Sequence, residues 1–286
     1  MARGLMKVLN SPGAILGFGI VLVAVVCALL ATRLAVQDPF NLAELSIADS
    51  QLPPGSVGAS GTHHWLGTDD QGRDVYSAIL YGLRISLGVA GVSTLIAFCL
   101  GTAIGLLAAH FGGWQDALLM RLADIQLAFP GLLIALVLLA VLGSGLDKVV
   151  LAIVAVQWAY YARTARSAAM VERSKEYILA AHSLRFSSMR IIWVHLLPNS
   201  FAALSVVMVV QLAGAIALEA TLSFLGVGLP ITKPSLGLLI ANGYSSMLSG
   251  EYWLSFYPGL VLLTLLVGIN LMGERLRVLN DPRGVT

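Results

Sequence analysis

Long apolar runs, set apart by short polar stretches, organise this chain. Residues 8–32 hold 25 positions without a charge, and Ile85–Ala109, 125–146 and Tyr252–Gly273 are likewise uncharged. A membrane-spanning helix needs about 20 mostly apolar residues. The pattern predicts six such helices, at about 13–35, 84–110, 121–143, 149–168, 200–224 and 253–274. The fourth is the weakest, because Arg163 and Arg166 cut its uncharged run to 14 residues. Open strands cannot sit in hydrocarbon, and no period-2 barrel pattern is present, so the expectation is an all-α membrane protein.

The intervening stretches are uneven. Residues 36–83 form one long segment whose Pro39, Pro53, Pro54 and glycines argue against a packed domain. Residues 169–199 are a basic island, and residues 225–252 are broken by Gly226, Gly228, Pro230 and Pro234. Lys and Arg collect on the cytoplasmic side of membrane proteins. With the N-terminus in the cytoplasm, 12 of the 17 Lys and Arg residues fall inside, among them Arg3, Lys7 and Arg283. Both termini are therefore expected in the cytoplasm. The chain divides into 1–83 (tail, first helix and external loop), 84–277 (the transmembrane domain, with a cytoplasmic loop at 172–197) and a tail at 278–286. Arg3 and Lys7 before an apolar run resemble a signal peptide, but signal cores run only about 7–15 residues. The first run is longer, so it reads as an uncleaved first span.

Composition narrows the function. The chain is 58% hydrophobic and 11% charged, against about 25% charged in a soluble domain. A net charge of +2 does not suggest nucleic acid. Cys27 and Cys99 both lie in apolar runs, so neither a disulfide framework nor a cysteine metal site is expected. No Walker A, Gly-x-Ser-x-Gly, His-Glu-x-x-His or CxxC motif occurs. An intramembrane enzyme needs a polar dyad inside two helices. Glu219 is the acid inside a span, and no partner lies at matching depth. A secondary transporter coupled to ions is the other rival, and would show broken helices with several midplane ionisable groups.

Three segments carry candidate chemistry. In the island, Ile178, Leu179, Ala181 and Leu184 recur at helical spacing after Tyr177, and Met189, Ile192, Trp193 and Leu196 mark a second short helix. Two helices and a turn make a compact knob, with Ala180 and Ala181 small enough for close approach of a partner surface. An interfacial helix on anionic lipid is the competing reading. The second segment runs His64-Trp65-Leu66-Gly67-Thr68-Asp69-Asp70-Gln71-Gly72-Arg73-Asp74. Its acids do not match calcium-loop spacing. It reads as a metal-free turn in which Thr68 caps a short helix and Arg73 pairs with Asp70 or Asp74. The third runs Glu219-Ala220-Thr221-Leu222-Ser223-Phe224-Leu225-Gly226-Val227-Gly228. Glu219, Ser223 and Phe224 either line a pore or gate, or hold the bent outer loop by hydrogen bonds. Arg121 and Asp124 are spaced to pair locally.

These segments resemble one family. Leu179-Ala180-Ala181, Arg185 and His195-Leu196-Leu197-Pro198 align with the coupling loop of ABC importer permeases, Glu-Ala-Ala-x3-Gly-x9-Ile-x-Leu-Pro. Arg185 replaces the glycine. The 64–77 segment, continued by Tyr81-Gly82-Leu83-Arg84, closely resembles the entry to the second helix of C-type permeases in dipeptide, oligopeptide and nickel importers. The Ser223-Phe224-Leu225-Gly226 run and the Gly273-Glu274-Arg275 ending are similar to that subfamily too. The resemblance implies a type I permease in the bacterial inner membrane, a heterodimer with a B-type permease, two ABC ATPase subunits and an extracytoplasmic binding protein. It implies that Tyr177, Leu179, Ala180, Ala181, Leu184, Arg185, Arg190, His195, Leu197 and Pro198 dock the ATPase. It implies no cofactor in this chain, since ATP and Mg belong to the partner subunits, and no catalytic residue. The cargo implied is di- or oligopeptides, with nickel chelates, glutathione or opines as alternatives.

Overall fold

The computed structural model describes residues 11–39, 41, 45–59, 61–230 and 233–279. Arg3, Lys7 and the Asp281-Pro282-Arg283 ending lie outside the described residues. The helices are α1 Pro12–Leu29, short α2 Ala31–Leu34, α3 Val75–Phe111, α4 Gly113–Ala128, α5 Gly131–Leu142 and α6 Leu146–Arg173. Then come α7 Glu176–Ser183, α8 Ser188–Arg190, α9 Leu197–Phe224, α10 Leu236–Ser246 and α11 Trp253–Leu279. A π-helical turn, Ile191–Leu196, joins α8 to α9 without a break.

Among the described residues, four helices are long and apolar enough to cross a membrane: Pro12–Leu29, Val75–Phe111, Ser188–Phe224 and Trp253–Leu279. A fifth span exists if α4 and α5 count as one, but these meet at 92°. The six spans expected from the sequence are therefore not confirmed. The expected third span, 121–143, breaks at Pro130, whose ring disfavours helical geometry in the residue before it. Phe129 is accordingly extended, at φ −96° and ψ 144°. α6 occupies the place of the expected fourth span but is not apolar enough to qualify. Protein surrounds much of it: twelve of its residues are buried.

Small residues set how α3 and α6 meet. Ala90, Ala97, Gly101, Gly105 and Ala109 of α3 are buried, as are Ala152, Ala159, Ala162, Ala165 and Ala169 of α6. In lipid there is little hydrophobic drive between helices, so close backbone approach supplies the packing energy. A Cβ on Gly101 would lie 2.7 Å from Tyr161 Cβ, and one on Gly105 would lie 2.8 Å from Ala165 Cβ. α1 meets α11 in the same way. A Cβ on Gly17 would lie 2.7 Å from the Gly268 carbonyl oxygen.

Several polar side chains tie the bundle across elements. Gln157 Nε2 of α6 donates to the Gln211 carbonyl of α9 at 2.7 Å. Arg166 donates twice to Asp116, at 2.5 and 2.6 Å. Asp124 pairs with Arg163 of α6 and not with Arg121, which corrects the local pair expected from spacing. Arg173 Nη1 donates at 2.7 Å to the Ala109 carbonyl, near the end of α3 where helix carbonyls lack partners.

The segment before α3 is more ordered than its proline content suggests. β1 Ser56–Val57 and β2 His63–His64 pair antiparallel, with Ser56 opposite His64 and Val57 opposite His63. A 3-10 turn at Ile47–Asp49 precedes them, and Thr68 bridges to Asp74. Buried polar groups hold this unit together where an apolar core would otherwise be needed. Asp49, His64, Thr68 and Asp74 are all at most 5% exposed.

Candidate functional site

The basic island folds into the knob that its spacing predicts. α7 and the π-helical turn lie against each other, and Ile178, Ala181, Ile191, Ile192 and Leu196 are buried. Phe186 and His195 stack with ring centres 6.1 Å apart, and Arg190 lies 4.2 Å over the Phe186 ring. Tyr177 meets the His195 ring edge-on at 6.3 Å. Its hydroxyl donates to Glu172 at 2.7 Å and accepts from Asn199 Nδ2 at 3.2 Å. Burial first, and the Glu172 carboxylate second, push Tyr177 up to about 12, so it remains a donor at neutral pH.

The π-turn has a local cause. Pro198 has no N–H to give and its ring crowds the carbonyl four residues back, so a wider turn relieves the strain. Asn199 Nδ2 then donates to the His195 carbonyl at 2.7 Å. The tight point between α7 and α8 is Arg185, at φ +55°. Arg185 itself takes the left-handed geometry that a glycine adopts cheaply, and the bend is not passed to a neighbour. Left-handed geometry costs about 1–2 kcal/mol in a residue with a Cβ. Arg185→Gly should therefore raise the thermal stability of the purified chain by an amount equivalent to roughly 1 kcal/mol, and an unchanged or lower midpoint would count against strain here.

The predicted knob residues divide into two sets. Leu179, Ala180, Leu184 and Arg190 face outward, together with Met189 and Trp193. Leu184 is 69% exposed. Ala181 is only 4% exposed, so it packs the interior of the knob and is no contact surface. Of the two alanines expected to face a partner, Ala180 alone is exposed. Helical spacing also gives no sign of the Phe186–His195 stack, which a helical wheel over a π-turn does not bring together.

In the segment before α3 the roles differ from those expected. Asp74, not Thr68, caps the following helix: its Oδ2 accepts from Ser77 N at 2.8 Å and Ser77 Oγ at 2.6 Å. Its Oδ1 lies 3.0 Å from His64 Nδ1. The spacing Asp74-x-x-Ser77 at a helix start is the signal that would have found it. Thr68 Oγ1 instead donates to the Asp49 carbonyl at 2.5 Å and accepts from Leu52 N at 2.8 Å. Arg73 faces Asp69, at 3.9 Å, rather than Asp70 or Asp74. Gly67 and Gly72 take φ of +82° and +74°, and a Cβ on Gly72 would lie 3.0 Å from the Ser46 carbonyl carbon. Among the described residues no His, Cys, Asp and Glu cluster is placed to hold a metal.

Asp69 Oδ1 accepts from the Gln71 and Arg73 amides at 2.9 Å each, and burial nevertheless raises its pKa above the usual carboxylate range. A raised folded pKa costs stability as pH climbs through it. Asn retains the amide-accepting oxygen without the charge. Asp69→Asn should therefore leave the melting temperature at pH 7 unchanged or slightly higher, and leave metal content unchanged. Loss of a stoichiometric metal on that swap would overturn the structural reading.

Glu219 is fully buried. Its Oε2 accepts from Ser86 Oγ at 2.7 Å and its Oε1 from Ser223 Oγ at 2.8 Å. Ser86 Oγ in turn accepts from Leu236 N, the first amide of α10, at 3.3 Å. Phe224 is half exposed beside Tyr244, ring centres 6.1 Å apart.

Residues 101–284 match the family model described as "Binding-protein-dependent transport system inner membrane component". The chain is 35% identical to the dipeptide transport system permease protein of Haemophilus influenzae, over 95% of this chain and 90% of that one. It is 34% identical to a probable D,D-dipeptide transport system permease of Escherichia coli, over 96% and 89%. It is 36% identical to a glutathione transport system permease of Pectobacterium atrosepticum, over 77% and 73%. The fold is similar to the inward facing MetNI methionine ABC transporter, with a TM-score of 0.58 at 18% identity, covering 71% of this chain and 96% of that one. On these matches the chain belongs to the binding-protein-dependent transport system inner membrane component family.

Proposed function

We propose that this chain is the C-type permease of an ATP-driven peptide importer, taking up di- or oligopeptides. As a family member it is a multi-pass inner-membrane transport subunit that works with an ATPase and a substrate-binding protein. The carrying observation is 34–35% identity to curated dipeptide permeases over nearly the whole chain. A B-type permease completes the path. Two ATPase subunits bind ATP and Mg, and this chain makes and breaks no bond itself. Both termini face the cytoplasm, on the side of the knob. The exposed face of Leu179, Ala180, Leu184, Met189 and Trp193 seats in the ATPase. Closure of the ATPase pair moves the knob, and α9, continuous with it, carries the motion through the membrane. Glutathione is a second reading, favoured by the Pectobacterium relative.

The test is uptake by the complete complex in proteoliposomes. A labelled dipeptide should enter only with ATP on the knob side and binding protein on the other, and vanadate should stop it. Excess glutathione should leave dipeptide uptake unchanged; competition by glutathione would favour the second reading. Uptake without ATP would overturn the ABC assignment. A reporter active only outside the cytoplasm should be active when fused after Ala59 and silent after Ser183.

A further inference from the structure

Knob and Glu219 sit at opposite ends of one helix. From Leu197 to Glu219, α9 rises about 33 Å, roughly the thickness of a bilayer core. At that far end the carboxylate meets α3 directly and α10 through one hydroxyl. Ser86 of α3 and Ser223 of α9 donate to it. Ser86 also accepts from Leu236 N of α10. The loop after α9 folds back, with Val227 N donating to the Leu222 carbonyl at 3.2 Å and Gly145 N, ahead of α6, donating to the Gly228 carbonyl at 3.3 Å. The N-terminus of α10 is wedged in place. A Cβ on Gly237 would lie 2.6 Å from Ala220 Cα, and one on Gly82 would lie 3.2 Å from Leu236 N. The positive end of a helix beside a carboxylate is a favourable pairing.

We propose that Glu219 is the positioning residue of a gate on the side of the membrane away from the knob. Through Ser86 its carboxylate holds the N-terminus of α10 against α3, and this contact releases each time the path opens outward. The contact suits a gate because one hydroxyl links the carboxylate to a backbone amide, so it can break without unfolding either helix. The inference rests on the transport reading above.

The experiment uses the complete complex, with Cys27 and Cys99 replaced by alanine and one cysteine placed at Leu236, which is fully buried. A membrane-impermeant maleimide is added from the side away from the knob, and labelling is timed at rest and after vanadate trapping. Labelling should be slow at rest and at least about tenfold faster when trapped. Glu219→Ala should bring the resting rate up by about tenfold, the scale of one lost charge-assisted hydrogen bond. Equal rates in the two states, or an unchanged resting rate with Glu219→Ala, would overturn the gate. Should Leu236→Cys fail to assemble, Leu238→Cys reports from the same turn, and Ser86→Ala replaces Glu219→Ala in the same role. ATP-driven uptake is measured on the same preparation. Its absence sinks the transport reading, whereas uptake with state-independent labelling sinks the gate alone.

Discussion

Gly105→Leu should abolish recovery of folded protein, and Gly105→Ala should lower stability by roughly 3 kcal/mol, at the upper end of what overpacking costs. The reason is backbone proximity. A Cβ on Gly105 would fall well inside contact distance of the Ala162 carbonyl oxygen, and would lie 2.8 Å from Ala165 Cβ and 2.9 Å from Arg166 N. Backbone atoms cannot swing aside as a side-chain end can, so α3 and α6 must separate. Separation weakens Arg166–Asp116 and Gln157–Gln211, since both depend on where α6 lies. Gly88 and Gly91 of the same helix are the control. Nothing lies within 4 Å of a Cβ at either, so alanine there should be neutral or add up to about 1 kcal/mol through helix propensity. Monodisperse yield and thermal midpoint in detergent read all three, and equal tolerance at Gly105 and Gly88 would contradict the close α3–α6 contact.

Leu184→Asp should cut ATPase association by roughly thirty- to a hundredfold while the permease keeps its melting temperature. Leu184 stands at the tip of the knob, 69% exposed. Burying a leucine in an interface is worth about 1.5–3 kcal/mol, and seating a carboxylate there adds a desolvation cost. Because Leu184 contributes little to the knob's own core, folding should not suffer. Ala181→Trp should behave in the opposite way. It overfills the space beside Ile178 and Leu196, so the melting temperature falls together with association. Association measured by co-purification, alongside a melting curve, separates docking from folding. Loss of stability with Leu184→Asp would place that side chain inside the knob and contradict the docking face.

Much of this was legible from the chain. Uncharged runs located the long apolar helices, because lipid burial leaves a plain compositional trace. The limits of that trace are equally plain. α6 mixes arginines with alanines because protein encloses much of it, and Pro130 turns one apolar run into two helices at 92°. The knob followed from helical spacing, and the split between Ala180 and Ala181 was there to be read too, since Ala181 stands three residues after Ile178 on the buried face. Arg185 shows that a left-handed turn can form without glycine, so composition alone does not reveal it. The unit before α3 was hardest to read. Its order rests on the pairs His64–Asp74 and Thr68–Asp49, which lie 10 and 19 residues apart along the chain and leave no periodic signal.

The most direct measurement places a photo-crosslinking residue at Leu184 in the assembled complex and, as a control, at Val23 on the exposed face of α1. The account predicts that Leu184 crosslinks to the ATPase subunit, that the yield changes when vanadate traps the complex, and that Val23 does not reach the ATPase. A knob that crosslinks to lipid alone in a complex with intact ATP-driven uptake would contradict it.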